Sequence, residues 1–226
     1  MAVIPWPLKN APRHGTQVSS GASAPEEVAA LASALIQSRQ TILPKRLAAP
    51  GPAAEELAQI LCAAAHAPDH GQLTPWRFVL VPAAARPALA DVFAQALQER
   101  DASATTEQAE QAREKAYRSP VLLLVVVDAQ RGDTEVDAAE RLVSAGCAVQ
   151  NMLLMATAQG YGSALTSGKA LKANSLRALF QLAPSEQAVC FISIGTVASR
   201  KAARARPAAT AYVSTLDPHR GVVPGF

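Results

Sequence analysis

The chain reads AAAHAPDHGQLTPWRFVLV over residues 63–81. An alanine-rich helix ends at Pro68, because proline lacks an amide hydrogen and its ring crowds the preceding turn. Asp69 and His70 therefore lie in a loop, and the apolar run Val79-Leu80-Val81 predicts a strand from Arg77 to Val81. Polar side chains on a loop between two rigid elements are well placed to bind a ligand.

Two further apolar runs predict buried strands. The run PVLLLVVVDA, which starts at Pro120, is too apolar and too rich in β-branched residues to be half exposed. It predicts a central strand that is covered on both faces. The run AVCFISIG, from Ala188 to Gly195, predicts a second buried strand.

The spacing of apolar residues elsewhere predicts six helices. The first begins at a capping box that Ser23 and Glu26 form around Pro25. The helices are Ser23 to Ser38, a segment around Leu57 that ends at Pro68, Leu89 to Leu97, a mostly polar surface helix or lid from Thr105 to Tyr117, Glu135 to Gly160, and Lys169 to Phe180. Helices and a few strands in this order pack naturally as a three-layer α/β/α sandwich.

The long helix from Glu135 is rich in small residues between Ala138 and Ala148. Small side chains let another backbone approach closely. Two interpretations stay open: the helix is buried in its own core, or it packs against the same helix of a second copy.

Composition excludes several classes of protein. The 226 residues are half apolar and can bury one substantial core, while the net charge of +3 and the alternation of basic with acidic residues argue against a nucleic-acid-binding protein. Cys62, Cys147 and Cys190 lack the paired spacing of a zinc site or a disulfide framework, and we interpret them as small core residues. Residues 1–24 contain neither a signal peptide nor a membrane span, which predicts a flexible arm on a cytoplasmic protein.

The sequence contains no nucleophile elbow, Walker loop or dinucleotide fingerprint. If the chain is an enzyme, a cofactor therefore carries the difficult chemical step. A metal site at His66 and His70, which are four residues apart, is disfavoured because Pro68 breaks the helix that would place both imidazoles on one face.

An amphipathic helix is followed by the block Ala67-Pro68-x-x and then by Pro75-Trp76-x-Phe78. This arrangement resembles the flavin-dependent nitroreductase family. The Ala-Pro-Asp-His version of the block resembles the short-chain NAD(P)H nitroreductases of the YdjA type. The resemblance implies an α+β homodimer with a mixed, largely antiparallel central sheet and one flavin at each end of the subunit interface.

The resemblance also implies which residues bind FMN. Arg39, Gln40 and Thr41 stand where the family places an Arg-Arg-Ser triplet that holds the ribityl phosphate, so Gln40 replaces an arginine. Arg200 falls where the family supplies a second basic group to that phosphate, with the adjacent Lys201 as the alternative. The other members of the basic patch are expected to face solvent.

Three further segments match positions near the flavin. His66 and His70 correspond to positions that contact the flavin of the partner subunit, although a pair of histidines at a helix end is the competing interpretation. Relatives carry Trp-Arg-Ser-Gly where this chain has Leu165, Thr166, Ser167 and Gly168. The competing interpretation of this segment is a turn that leads to a helix capped by Ser167.

The function implied by the resemblance is an FMN-dependent oxidoreductase. Hydride would pass from NAD(P)H to flavin N5 and then to a nitroaromatic, quinone or similar acceptor, in a ping-pong mechanism without catalytic side chains or metal. A flavin-binding storage or sensor protein with little turnover is the alternative, which the Leu165-Thr166 pair would favour. The expected domains are an arm of residues 1–24, an FMN-binding domain of 25–206 and a C-terminal extension of 207–226 on the partner subunit.

Overall fold

A computed structural model describes residues 25–202 and 204–226, of which residues 35–226 cluster as one compact unit. The helices are α1 (Pro25–Ser38), α2 (Ala54–Ala63), α3 (Arg86–Arg100), α4 (Thr106–Glu114), α5 (Ala138–Ala158) and α6 (Asn174–Leu179). The strands are β1 (Leu47–Ala48), β2 (Trp76–Leu80), β3 (Val121–Asp128), β4 (Gly162–Thr166), β5 (Glu186–Val197), β6 (Ser214–Asp217) and β7 (Gly221–Pro224).

Strand β5 organises the main sheet. It pairs with β3, which in turn pairs with β2, and it also pairs with β4 and, at its C-terminal end, with β1; all these pairings are antiparallel. Thr41 adds one parallel bridge, to Ser163 in β4. The largely antiparallel sheet that the resemblance implied is thus confirmed.

Side chains of β3 divide between the two faces of the sheet. Every residue from Val121 to Val127 is buried. Leu123 and its odd-numbered neighbours pack in a core with α2 and α5, whereas Leu124 and its even-numbered neighbours pack in a core with α3 and α6. This period of two explains why the run is apolar at every position, and it confirms both the central strand and the three-layer arrangement.

The helices follow the predicted pattern with local differences. The first helix ends at Ser38 as predicted, while Ser23 of its predicted capping box lies outside the described residues. Helix α5 ends just before Gly160, whose φ of 85° is in the left-handed region. The helix predicted from Lys169 is instead a 3₁₀ turn (Lys169–Lys172) and the short α6, because Ala173 between them is extended and Asn and Ser disfavour a helix interior. No helix among the described residues has the length and apolar character needed to cross a bilayer.

The three cysteines have different environments. Cys190 is buried on β5, and burial raises the pKa of its thiol to about 11. Cys147 is half-buried, but Cys62 is exposed, so the interpretation of Cys62 as a core residue is wrong. The reason is the helical period of α2, which directs Ile60 and Ala64 inward and leaves Cys62 on the outer face.

An ion pair connects the ends of β2 and β5. Arg77 donates from Nε to Oε1 of Glu186 at 2.5 Å and from Nη2 to Oε2 at 2.9 Å. The Arg77 guanidinium lowers the pKa of Glu186 from 4.5 to about 2. Because the folded-state pKa is depressed, the pair stabilises the fold fully above pH 4.5, and this contribution disappears as the pH falls towards 2.

Glu186→Gln is therefore expected to lower the free energy of unfolding at neutral pH by about 1 kcal/mol, since Arg77 is partly exposed and solvent screens the pair. Urea unfolding at several pH values measures the difference between wild type and variant, which should shrink between pH 4.5 and pH 2. Glu99→Gln, on an exposed position of α3, is the control. A difference that is constant with pH would show that the ion pair is not its source.

Candidate functional site

A cleft of about 980 Å³ opens on the face of the sheet that carries α3 and α4. Leu122, Phe191 and Ser193 from β3 and β5 contribute to its lining. The other lining residues come from the segment after α1, from α3, from α4 and the residues that follow it, and from the end of β4 and the segment after it: Leu43, Pro44, Lys45, Phe93, Leu97, Arg100, Gln108, Gln111, Ala112, Glu114, Lys115, Arg118, Thr166, Ser167, Gly168, Lys169, Ala170 and Leu171.

The triplet Arg39 to Thr41 lies beside β4. Its neighbour Ile42 donates its amide hydrogen to the Ser163 carbonyl at 2.9 Å, next to the bridge that Thr41 forms with the same residue. The chain then continues into Leu43, Pro44 and Lys45, which line the cleft. The structure thus brings the first predicted segment to the third.

Gly162 permits this close packing. A Cβ atom there would lie 2.7 Å from Val197, 2.9 Å from Leu47 and 3.0 Å from Ile42. Any larger residue at the start of β4 would therefore displace the strand or the segment that follows the triplet.

The third predicted segment is a strand and not a turn. Leu165 and Thr166 are the last residues of β4, and their side chains leave opposite faces of the sheet. Thr166, opposite Phe191, lines the cleft together with Ser167, whereas Leu165 is opposite Ile192, on the face that packs against α5. Gly168, not Ser167, occupies the N-cap position of the following 3₁₀ turn.

Arg200 follows the C-terminal end of β5, which pairs with β1. The amide of Ala198 donates to the Arg46 carbonyl at 2.9 Å, and Arg200 is exposed two residues further on. Arg46 itself follows the cleft-lining Lys45. The segment after Arg39 and the segment before Arg200 therefore pack beside the start of β4, whereas Thr166, at the end of that strand, pairs with Phe191 and lines the cleft.

His66 and His70 lie elsewhere in the chain, against the first half of α5. His70 Nδ1 is 2.8 Å from Glu140 Oε2, and Ser144 Oγ donates to the Pro68 carbonyl at 2.9 Å. The hydrogen bond to Glu140 raises the pKa of His70, which favours the imidazolium form. Helix α5 spans roughly 30 Å between this end and the end that leads to β4, so within one chain the histidines lie far from the start of β4.

Arg141 supports the histidine loop from behind. Its side chain is only 1% exposed, and it donates to the carbonyls of Arg131 at 2.7 Å, of Val136 at 3.0 Å and of Asp133. These contacts fix the segment before α5, whose Gly132 packs so closely on Leu73 that a Cβ would lie 2.6 Å from Leu73 Cδ2. The sequence did not indicate this role, because Arg141 follows Glu140 in what looks like an exposed first turn.

The cleft has a cationic character that the sequence does not indicate. Its lining contains five cations and one carboxylate: Lys45, Arg100, Lys115, Arg118 and Lys169 against Glu114. Among residues 25–202 and 204–226, no ion pair within 4 Å involves these five cations. The cations come from four separate parts of the chain, so only the fold shows that they belong together.

Ser193 is a polar residue on the cleft lining that is only 1% exposed. In the described part of the chain, no hydrogen bond is formed by its hydroxyl group. No group of three or more His, Cys, Asp or Glu residues in that part could hold a metal ion.

Comparison with known proteins assigns the family. The family described as "Nitroreductase family" matches this chain over residues 36–196. A "Putative NAD(P)H nitroreductase" from Haemophilus influenzae is 34% identical over 152 residues, which are 67% of this chain and 82% of the relative. "Putative NAD(P)H nitroreductase YdjA" from Escherichia coli K12 is 33% identical over 152 residues, which are 67% of this chain and 81% of the relative.

A solved structure agrees with this assignment. The crystal structure of a "putative nitroreductase in complex with FMN" from Desulfovibrio desulfuricans superposes with a TM-score of 0.61 at 25% identity, covering 82% of this chain and 97% of that one. Since the family description matches most of the described residues and two relatives exceed 30% identity, this chain belongs to the nitroreductase family of oxidoreductases.

Proposed function

We propose that the chain is an FMN-dependent oxidoreductase that passes hydride from NAD(P)H to a nitroaromatic, quinone or similar acceptor. The observation that supports the proposal is the cleft lined by Thr166 and Ser167, together with the segment after Arg39, which is bonded to β4 at Ser163 and continues into the cleft-lining Lys45. The names of the two bacterial relatives support the nicotinamide donor, and the Desulfovibrio desulfuricans complex supports FMN.

The residues present fit FMN. Arg39 and Arg200 supply guanidinium groups and Thr41 a hydroxyl, which together suit a terminal phosphate. The buried Ser193 hydroxyl has hydrogen-bonding capacity that no described residue uses, and Thr166 supplies a second hydroxyl to the cleft. A volume of about 980 Å³ is at the upper end of the range for small-molecule sites.

FMN, when bound, supplies the hydride acceptor at N5 and passes the electrons on, so that the donor leaves before the acceptor is reduced. The chain supplies binding and electrostatics. Arg39 would form charge-assisted hydrogen bonds to the phosphate with help from Thr41 and Arg200, while Gln40 offers an uncharged amide. Lys45 and Lys169 place positive potential in the cleft, and such potential favours the more negative redox form of a bound group.

We propose that the active form is a homodimer. Val143 on α5 is 66% exposed, Leu142 is also exposed, and an added Cβ at Gly146 would meet no atom within 4 Å. Thus α5 buries Ala145 and Ala148 in its own core and leaves a second stripe of small and apolar residues for another copy. A second copy on this helix would also lie near the histidine loop, and His66 and His70 could then contribute to the partner's flavin site.

The C-terminal strands support the same proposal. Leu216 on β6 and Val222 on β7 are 76% and 73% exposed. An isolated two-stranded hairpin is at best marginally stable in water. We propose that residues 207–226 pack on the partner subunit, that 25–206 form the FMN-binding domain, and that the enzyme works in the cytoplasm.

Steady-state oxidation of NADH and NADPH by the FMN-supplied protein, with a nitroaromatic or quinone acceptor, tests this function. The proposal requires turnover that depends on the acceptor, and sedimentation should show a dimer at micromolar concentration. A flavin-loaded protein without turnover would support the storage or sensor alternative. A flavin-loaded monomer would contradict the shared site.

Leu165 and Thr166 stand where relatives carry Trp-Arg, and the orientation of β4 predicts which of the two positions affects the flavin. Thr166→Arg adds a cation to the cleft, so it is expected to raise the rate of flavin reduction by NADPH about tenfold. The side chain at position 165 projects from the opposite face of the sheet. Leu165→Trp should therefore change that rate by less than about twofold within one chain. Stopped-flow reduction of both variants measures the effect. The reverse order of effects would show that Leu165 and not Thr166 lies beside the flavin.

A further inference from the structure

The wall of the cleft formed by α3 and α4 is positively charged. Arg100 ends α3, Lys115 follows α4, and Arg118 lies three residues further on. Arg113, on the same part of the chain, forms ion pairs with Asp91 and Glu110. The three cleft-lining cations form no such pair among the described residues.

Two carboxylates partly offset this charge. Glu114 lines the cleft, and Asp101 lies within electrostatic reach of Arg100. Together with Lys45 and Lys169, the cleft lining has five cations, which outnumber these two carboxylates. Positive potential in a cleft with low-dielectric walls is focused, and it concentrates anions.

An apolar surface lies beside the cations. Phe93 and Leu97 of α3 line the cleft with Phe191 of β5, and the two phenylalanine rings pack edge to face with centroids 5.7 Å apart. This surface suits a flat aromatic group. The residues proposed for the FMN phosphate lie on other parts of the chain, after α1 and after β5, so the cations of α3 and α4 are available to a second molecule.

From this arrangement we infer that the acceptor is an aromatic compound with an anionic substituent, such as a carboxylate. Its ring would pack near Phe93 and Leu97, and its carboxylate would be bound by Arg100 and Lys115. The inference rests on the proposed function. For a nitroarene, the overall two-electron reaction consumes NAD(P)H, a proton and the nitro compound, and it yields NAD(P)⁺, the nitroso compound and water. One N–O bond of the nitro group breaks, and the carboxylate is unchanged.

The test compares 4-nitrobenzoate with 4-nitrobenzamide, which differ in charge at similar size. For the FMN-loaded protein at low salt, kcat/KM is expected to be about tenfold higher for the anion, and the preference should decrease as ionic strength rises. The double variant Arg100→Gln with Lys115→Gln should lose the preference. Both positions are exposed, so folding should not be affected. Lys172→Gln, an exposed lysine that does not line the cleft, is the matched control.

A binding measurement separates this inference from activity. Benzoate cannot be reduced, and its binding to the FMN-loaded protein is expected to perturb the flavin absorbance. The double variant should bind benzoate about tenfold more weakly while its Kd for FMN stays unchanged.

Three results would overturn the inference. Equal kcat/KM values for the two acceptors, with FMN bound, would contradict it and leave the proposed function standing. A higher KM for NAD(P)H in the double variant with unchanged benzoate binding would assign the cations to the phosphates of the donor. Failure to bind FMN would reject the proposed function itself, and the inference with it.

Discussion

Arg141→Met is expected to lower the free energy of unfolding by about 3–5 kcal/mol, because it removes a buried guanidinium and leaves several carbonyl groups without a donor. Those carbonyls belong to Arg131, Asp133 and Val136 in the segment before α5. Methionine fills a similar volume, so the loss should come from hydrogen bonds more than from a cavity. Urea unfolding followed by circular dichroism measures the change.

The matched control is Arg131→Met. The Arg131 side chain is exposed, and only its backbone carbonyl accepts from Arg141. This control should change the free energy of unfolding by less than about 0.5 kcal/mol. Equal losses in the two variants would show that the Arg141 hydrogen bonds do not hold this segment.

Arg39→Ala is expected to weaken FMN binding about ten- to a hundredfold, the size of one shielded charge-assisted contact to a phosphate. Arg39 is half-buried, and the adjoining residues Thr41 and Ile42 are fixed to β4 at Ser163. The backbone that follows Arg39 is therefore held beside the start of β4. Fluorescence titration of apoprotein with FMN gives the two dissociation constants.

Arg206→Ala provides the comparison, because Arg206 is an exposed member of the basic patch that we expect to face solvent. Its dissociation constant for FMN should equal that of the wild type. If Arg39→Ala also leaves the constant unchanged, Arg39 does not contact the phosphate.

The sequence was most informative where a physical constraint acts at every position. The strand from Val121 to Val127 is apolar throughout because both faces of the sheet are covered, and α5 ends where Gly160 adopts a positive φ. Strand β4 was missed, since five residues at a sheet edge have too weak an alternation to distinguish a strand from a turn. Its alternation decides that Thr166 and not Leu165 faces the cleft.

Long-range contacts explain the rest of what could not be predicted. Lys45, Arg118 and Lys169 are far apart in the chain, and each alone is typical of a solvent-exposed cation. Their common cleft exists only after β3, β4 and α4 have packed. The resemblance supplied Arg39, Thr41 and Arg200 as candidates, whereas the packing of their segments beside the start of β4 came from the structure.

The central claim is that these segments and the cleft bind FMN through its phosphate. The most direct measurement is an absorbance titration of the purified protein with FMN and, separately, with riboflavin, which lacks the phosphate. We expect one FMN per chain with a perturbed flavin spectrum, and binding at least about tenfold tighter than that of riboflavin, as loss of a charge-assisted contact requires. A spectrum that FMN leaves unchanged at tens of micromolar, roughly the scale of weak cofactor affinity, would contradict the claim.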